Sequence, residues 1–266
     1  MYDFHMHSNF SFDSETAMES MVRVGIEKGL KTLCFTDHIE FAPAPPYKPW
    51  IFNVKQYEAE IQRLRLQYGN HIEIRMGAEI GYHLGYINEI NEFIDGAPFD
   101  FILCSLHDID GQDFHNKIFT QDKSTEEAFA QYFKAYYTCA VSEINFSCLA
   151  HFDFLKRYTT YDGDKIFKDN YDVIEATFKH IIQKGKGIEV NTSGYRYNLG
   201  HTLPTVDLLT LYKSLGGEII TTGSDSHRPA DVAADFDSTY DLLRQVGFNY
   251  VTRFEKMKPH FIKLLD

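Results

Sequence analysis

Seven short apolar runs, rich in β-branched and aromatic residues, recur along the chain at residues 2–6, 32–36, 73–80, 101–106, 148–151, 187–191 and 218–222. Runs of that length and composition predict buried strands. Longer stretches with apolar residues at helical spacing separate them. One opens at Ser14-Glu15-Thr16, carries Met18, Met21, Val22 and Ile26 on one face, and is stopped by Gly29. Residues 54–68 place Tyr57, Ile61, Leu64 and Tyr68 on one stripe. Residues 124–144 begin Ser-Thr-Glu-Glu, close to a capping box, and continue through Phe129, Phe133 and Tyr137. Residues 170–184, 204–215 and 238–246 complete the alternation.

Strand and helix alternating in this way predict an α/β fold with a mainly parallel sheet under covering helices. Seven strands in 266 residues fit a closed, distorted (β/α)7 TIM-like barrel better than an open doubly wound sheet. The chain reads as a single domain over 1–266, with residues 250–254 as an extra strand. The segment Pro43-Ala44-Pro45-Pro46-Tyr47-Lys48-Pro49-Trp50 predicts an irregular connector within 42–53, either a mobile flap or a rigid strap.

Composition narrows the function classes. The chain has 26 basic against 38 acidic residues, and the resulting charge of −12 argues against a nucleic-acid partner, whose phosphates demand basic surface. No run approaches the ~18 apolar residues of a membrane span, and no secretory leader is visible after Met1. Cys34, Cys104, Cys139 and Cys148 lie singly within apolar segments and read as reduced core thiols of a cytoplasmic protein.

The chemistry sits where the strands end. His5 and His7 stand at i and i+2, on one side of an extended strand. Asp13 follows. His38 closes Cys34-Phe35-Thr36-Asp37, Glu79 closes Met76-Gly77-Ala78, His107 closes Ser105-Leu106, and His151 closes Leu149-Ala150. Asp225 and His227, again at i and i+2, follow Ile219–Gly223. A lone histidine after a strand is usually a hydrogen-bonded core residue, and a lone acid there is usually a helix cap. Repetition at strand after strand defeats that explanation, because a parallel barrel gathers its carboxyl ends on one face. Six imidazoles and three carboxylates in one place suit several metal ions, hence a multinuclear metal hydrolase.

The motifs His5-Met6-His7, Thr36-Asp37-His38, Gly77-Ala78-Glu79, Ser105-Leu106-His107, Ala150-His151 and Gly223-Ser224-Asp225-Ser226-His227 together resemble those of the polymerase and histidinol phosphatase (PHP) family, in family order. The resemblance implies three divalent ions at the carboxyl face of a distorted seven-stranded barrel. The first ion takes His5, His7, Glu79 and Asp225. The second shares Glu79 and adds His107 and His151. The third takes His38, His227 and the residue eight beyond the first histidine, here Asp13 where many members have histidine. Zinc, manganese, iron and cobalt all suit such donors.

Expected chemistry is in-line attack on a phosphate ester by a water acidified between the Glu79-bridged ions. Arg157 and Arg196, in loops on the ligand face, can hold phosphate bidentately, so that Glu79, Arg157 and Arg196 form the expected catalytic set. The segments Ser105–Gly111, His151–Tyr158 and Glu189–Gly194 are similar to the stand-alone histidinol-phosphatase branch. That likeness implies hydrolysis of L-histidinol phosphate in histidine biosynthesis, with both arginines on the phosphate. The alternative is another phosphate monoester on the same scaffold: nucleotide, sugar phosphate or phosphotyrosine. A noncatalytic metal-stabilised module and an amidohydrolase are more distant rivals. Asp108, Asp110, Asp153, Tyr158 and Tyr161 are candidates for the substrate's amine and imidazole, and Asp153 or His227 for aiding leaving-group protonation. Asp37 either orients a histidine or caps a helix.

Overall fold

The computed structural model describes residues 1–160 and 163–264, so Tyr161 lies outside the described residues. Seven parallel strands form the barrel wall in the order β1 (Tyr2–Asp3), β2 (Thr32–Phe35), β4 (Glu73–Gly81), β5 (Phe101–Ser105), β8 (Cys148–Leu149), β9 (Gly187–Asn191) and β10 (Ile220–Gly223). A short strand, β3 (His38–Ile39), pairs with the far end of β4. The wall closes between its first and last strands. Phe4 N–H donates to Thr222 O at 2.8 Å, Asp225 N–H to His5 O at 2.8 Å, and His7 N–H to Ser226 O at 2.8 Å. All seven runs read as strands in the sequence fall in this wall.

Strand alternation sorts the residues into two sets. On β4, Met76, Ala78 and Ile80 face the surrounding helices, while Gly77, Glu79 and Gly81 face the interior. On β5, Phe101 and Leu103 point inward, and Ile102 and Cys104 outward. The outer layer is covered by α1 (Met18–Glu27), α2 (Val54–Tyr68), α3 (Ile87–Asp95), α4 (Thr125–Val141), α5 (Gly163–Asp169), α6 (Tyr171–Gln183), α8 (Val206–Ser214) and α9 (Phe236–Val246). A one-turn helix, α7 (Ser193–Arg196), follows β9 directly. Aromatic contacts weld helices to wall: Tyr136 to Phe152 at 4.8 Å, Phe152 to Phe178 at 4.8 Å, and Phe178 to Tyr212 at 5.3 Å between ring centres.

Helix α4 has the predicted capping box, with Ser124 and Glu127 exchanging hydrogen bonds. Helix α1 differs from expectation at its start. It begins at Met18, and Ser14 and Thr16 instead donate their hydroxyls to the His227 carbonyl at 3.0 and 2.9 Å. The four cysteines are free and buried. Residues 250–254 do form a strand, β11 (Tyr250–Glu255), but among the described residues it pairs only with β12 (Lys258–Lys263). This hairpin closes the amino end of the barrel: Phe254 stacks on Phe101 at 5.0 Å and Met257 N–H donates to Asp100 O at 2.9 Å. Strand β12 escaped sequence reading because it is largely exposed and lacks apolar alternation. A two-residue ribbon, β6 (Asp108–Ile109) with β7 (Gln112–Asp113), projects beyond β5. Among the described residues no helix is long and apolar enough to cross a membrane.

Candidate metal centre

The carboxyl ends of the strands bring all nine sequence-selected donors to one cluster. Glu79, inward-facing near the end of β4, lies at its middle and is 1% exposed. Its Oε2 lies 3.2 Å from His5 Nε2, 3.5 Å from His7 Nε2 and 3.2 Å from His38 Nδ1. Its Oε1 lies 2.9 Å from His151 Nε2 and 3.4 Å from His107 Nε2. Asp225 Oδ1 faces His5 and His7 at 3.7 and 3.5 Å. Asp13 Oδ2 stands 3.0 Å from His227 Nε2 and 3.4 Å from His38 Nε2.

Among the described residues, three groups offer donor atoms that all lie within 4.8 Å of one another: His5, His7 and Asp225; His38, Glu79 and His107; and His7, Asp13, His38 and His227. The division differs from the one implied by resemblance. His38 joins the Glu79–His107 group, His7 joins the Asp13 group, and His151 meets Glu79 at 2.9 Å with its ring beside those of His5 and His107.

Electrostatics are those of a cluster built for cations. Burial works against the charge on Glu79, yet the imidazoles of His5, His38 and His107 hold it well below the ordinary carboxylate range. Burial likewise opposes Asp225, but His5, His7 and Arg157 hold it well below that range. His7 is pushed down to about 3, by burial first and then by His227 and His38, which keeps it a neutral donor. Two observations match the donor set to divalent ions. His38 Nδ1 is buried, 3.2 Å from Glu79 Oε2, and makes no hydrogen bond among the described residues. The Nε2 atoms of His5 and His7 face each other at 3.0 Å while their Nδ1 atoms are tied behind. Nitrogen and oxygen donors without thiolate suit zinc, manganese, iron or cobalt.

A supporting layer lies behind the donors. Asp37 caps no helix: it accepts from Ser8 N–H, Ser8 Oγ and Ser11 Oγ, and Ser11 Oγ in turn meets His7 Nδ1 at 3.0 Å. Glu189 and Glu40, which the sequence reading passed over, bond to His5 and His107. Glu189 carried a signal, a charged residue in the middle of the buried run 187–191.

The cluster opens into a cavity of about 750 Å³. Phe12, Tyr47 and Trp50 line it, as do Phe154, Tyr158 and Tyr197. The Pro-rich loop forms part of this lining and is strapped down. Glu40 and Trp50 exchange backbone hydrogen bonds at 2.8 Å, Ala44 N–H donates to Asp108 at 3.0 Å, and Trp50 Nε1 donates to Phe10 O at 2.7 Å. Both arginines reach the cavity. Arg157 donates to Asp225 at 3.2 Å and to Ser193, with its guanidinium over the rings of Phe154 and Tyr197 at 4.4 and 3.9 Å. Arg196 donates to the carbonyls of Ser224 and Asp225 at 3.2 and 2.7 Å. Asp108 and Tyr158 line the cavity, whereas Asp110 does not. Asp153 is fully buried, pairs with Lys156 at 2.6 Å and does not line the cavity, which gives it a structural place.

A closed parallel barrel with clustered histidines and carboxylates at its carboxyl mouth defines a class of metal-centred barrel protein. The sequence pattern of the PHP domain matches residues 3–193, and the chain belongs to that family. It is 33% identical over 258 residues to the histidinol-phosphatase of Lactococcus lactis subsp. lactis, covering 96% of this chain and 95% of that protein. It is 30% identical to the probable histidinol-phosphatase of Clostridium acetobutylicum, covering 96% and 97%. The crystal structure of the Lactococcus lactis histidinol phosphate phosphatase, complexed with zinc, L-histidinol and phosphate, superposes with a TM-score of 0.88 at 31% identity, covering 97% of this chain and 98% of that one.

Proposed function

We propose that this chain is a metal-dependent phosphomonoesterase that hydrolyses L-histidinol phosphate to L-histidinol and phosphate. The observation that carries the reading is the convergence of nine donors on one cluster, seven of them lining the cavity, in a chain that aligns end to end with a histidinol-phosphatase. His5, His7, Glu79 and Asp225 would hold one divalent ion. Glu79, His107 and His151, with His38 in reach, would hold a second. Asp13, His38 and His227 would hold a third. When bound, such ions polarise the phosphoryl oxygens and acidify a water for in-line attack.

The protein's own groups do the rest. Three carboxylates neutralise only half the charge of three divalent ions, so the cluster favours an anionic ester. Arg157 Nε is buried with no hydrogen-bond partner among the described residues, a donor that a phosphate oxygen would satisfy. Arg196 gives two of its five N–H donors to the loop carrying Asp225 and His227 and has others for the ester. It both steadies that loop and presents positive charge. The aromatic lining and the carboxylate of Asp108 suit an imidazole and an ammonium group.

The test is phosphate release after reconstitution with zinc, manganese, iron(II) and cobalt. L-Histidinol phosphate should exceed nucleotides, sugar phosphates and phosphotyrosine by orders of magnitude in kcat/KM. Another ester turned over as well or better would overturn the substrate.

A further inference from the structure

We propose that Glu189 and Glu40 are positioning residues that fix which ring nitrogen of His5 and of His107 faces the metal centre. The inference rests on reading those two histidines as metal ligands. Glu189 Oε1 lies 2.6 Å from His5 Nδ1, and Glu40 Oε1 lies 2.6 Å from His107 Nδ1. An ionised carboxylate only accepts hydrogen bonds, so each Nδ1 carries a proton and Nε2 is the nitrogen left to offer a lone pair to a metal ion. Those Nε2 atoms then face the two oxygens of Glu79, at 3.2 and 3.4 Å.

Glu189 is held through its carboxylate and Glu40 through its backbone. Glu189 Oε2 accepts from the His151 N–H at 2.9 Å and from Asn191 Nδ2 at 3.2 Å, which joins β9 to the segment leaving β8. Glu40 is pinned by its backbone pairing with Trp50. Space for each comes from a glycine that ends a barrel strand. A Cβ on Gly223, at the end of β10, would lie 2.1 Å from Glu189 Oε1 and 2.4 Å from His5 Cβ. A Cβ on Gly81, at the end of β4, would lie 1.9 Å from Glu40 Oε2. Neither glycine has a positive φ, so the requirement is for room and not for backbone freedom. The same device, a glycine making room for a carboxylate that holds a histidine, therefore occurs twice. It also gives β9 its role: this strand presents no donor to the centre and supports two from behind.

The experiment uses zinc-loaded protein with 15N-labelled histidine. Two-bond 1H–15N spectra should show Nδ1 protonated and Nε2 zinc-bound at both His5 and His107. Zinc on Nδ1 at either residue overturns the assignment there without any variant. Chelator competition on Glu189→Gln and on Glu40→Gln should each show one ion bound 10–100-fold more weakly, with the remaining ions little changed. Gly223→Ala and Gly81→Ala should reproduce the respective losses. Folded Glu→Gln variants with wild-type zinc affinity would overturn the proposal. These readouts need no substrate. A protein with the expected spectra but no histidinol phosphate hydrolysis would sink the function and leave the positioning roles standing.

Discussion

At its amino end the barrel interior is hydrocarbon: Phe4, Cys34, Phe101, Leu103 and Cys148 pack together, and Phe254 from the terminal hairpin seals them. At its carboxyl end the same strands present His5, Glu79, His107, His151 and Glu189 to one another. Both sets lie within the barrel wall, close together along the chain. On β5 the inward series runs Phe101, Leu103 and then, past the strand end, His107. On this strand the last apolar side chain and the donor are thus four residues apart, about 13 Å at ~3.3 Å per residue. The lower layer gains by excluding water. The upper layer holds buried polar groups that need partners, and the supporting carboxylates and hydroxyls supply them for His5, His7 and His107.

The separation can be broken most severely at Glu79. Glu79→Ala should lower kcat to ~10⁻³ of wild type or less, and elemental analysis should show more than one ion lost. Full metal content with full rate would remove Glu79 from the centre. Next comes the other mouth. Phe254→Ala should cost about 3–5 kcal/mol in urea unfolding, through the cavity left over Phe101, with kcat unchanged while the protein stays folded. A lowered kcat in that folded variant would show that the two layers are coupled. The mildest probe is Arg157→Ala, expected to reduce kcat/KM by about 10²-fold, roughly 2.7 kcal/mol, with metal content intact. Loss of metal instead would make Arg157 a prop for Asp225, which it contacts.

Much of this could be read along the chain. The seven wall strands and the donors at their ends were legible because apolar runs that stop abruptly in histidine or acid are a local signal. Helix α2 was legible from its stripe and α4 from its capping box. Helix α3 carried a stripe too, Ile87, Ile90 and Ile94, but over only nine residues, whereas the hairpin's second strand and helices α5 and α7 gave no such signal, being short or largely polar. Asp153 was not legible for a related reason. Sequence neighbours placed it beside His151 and Arg157, and only packing shows it buried against Lys156.

The sequence alone determined the fold class, the face on which the chemistry lies and the identities of its candidate ligands, since strand periodicity and strand ends are properties of consecutive residues. Tertiary structure alone decided which donors meet: His38 with Glu79 and His107, His7 with the Asp13 group, Glu189 behind His5 from 184 positions away. It also decided why Gly81 and Gly223 are glycines. Those facts depend on distances between strands, which barrel closure sets and no local pattern encodes.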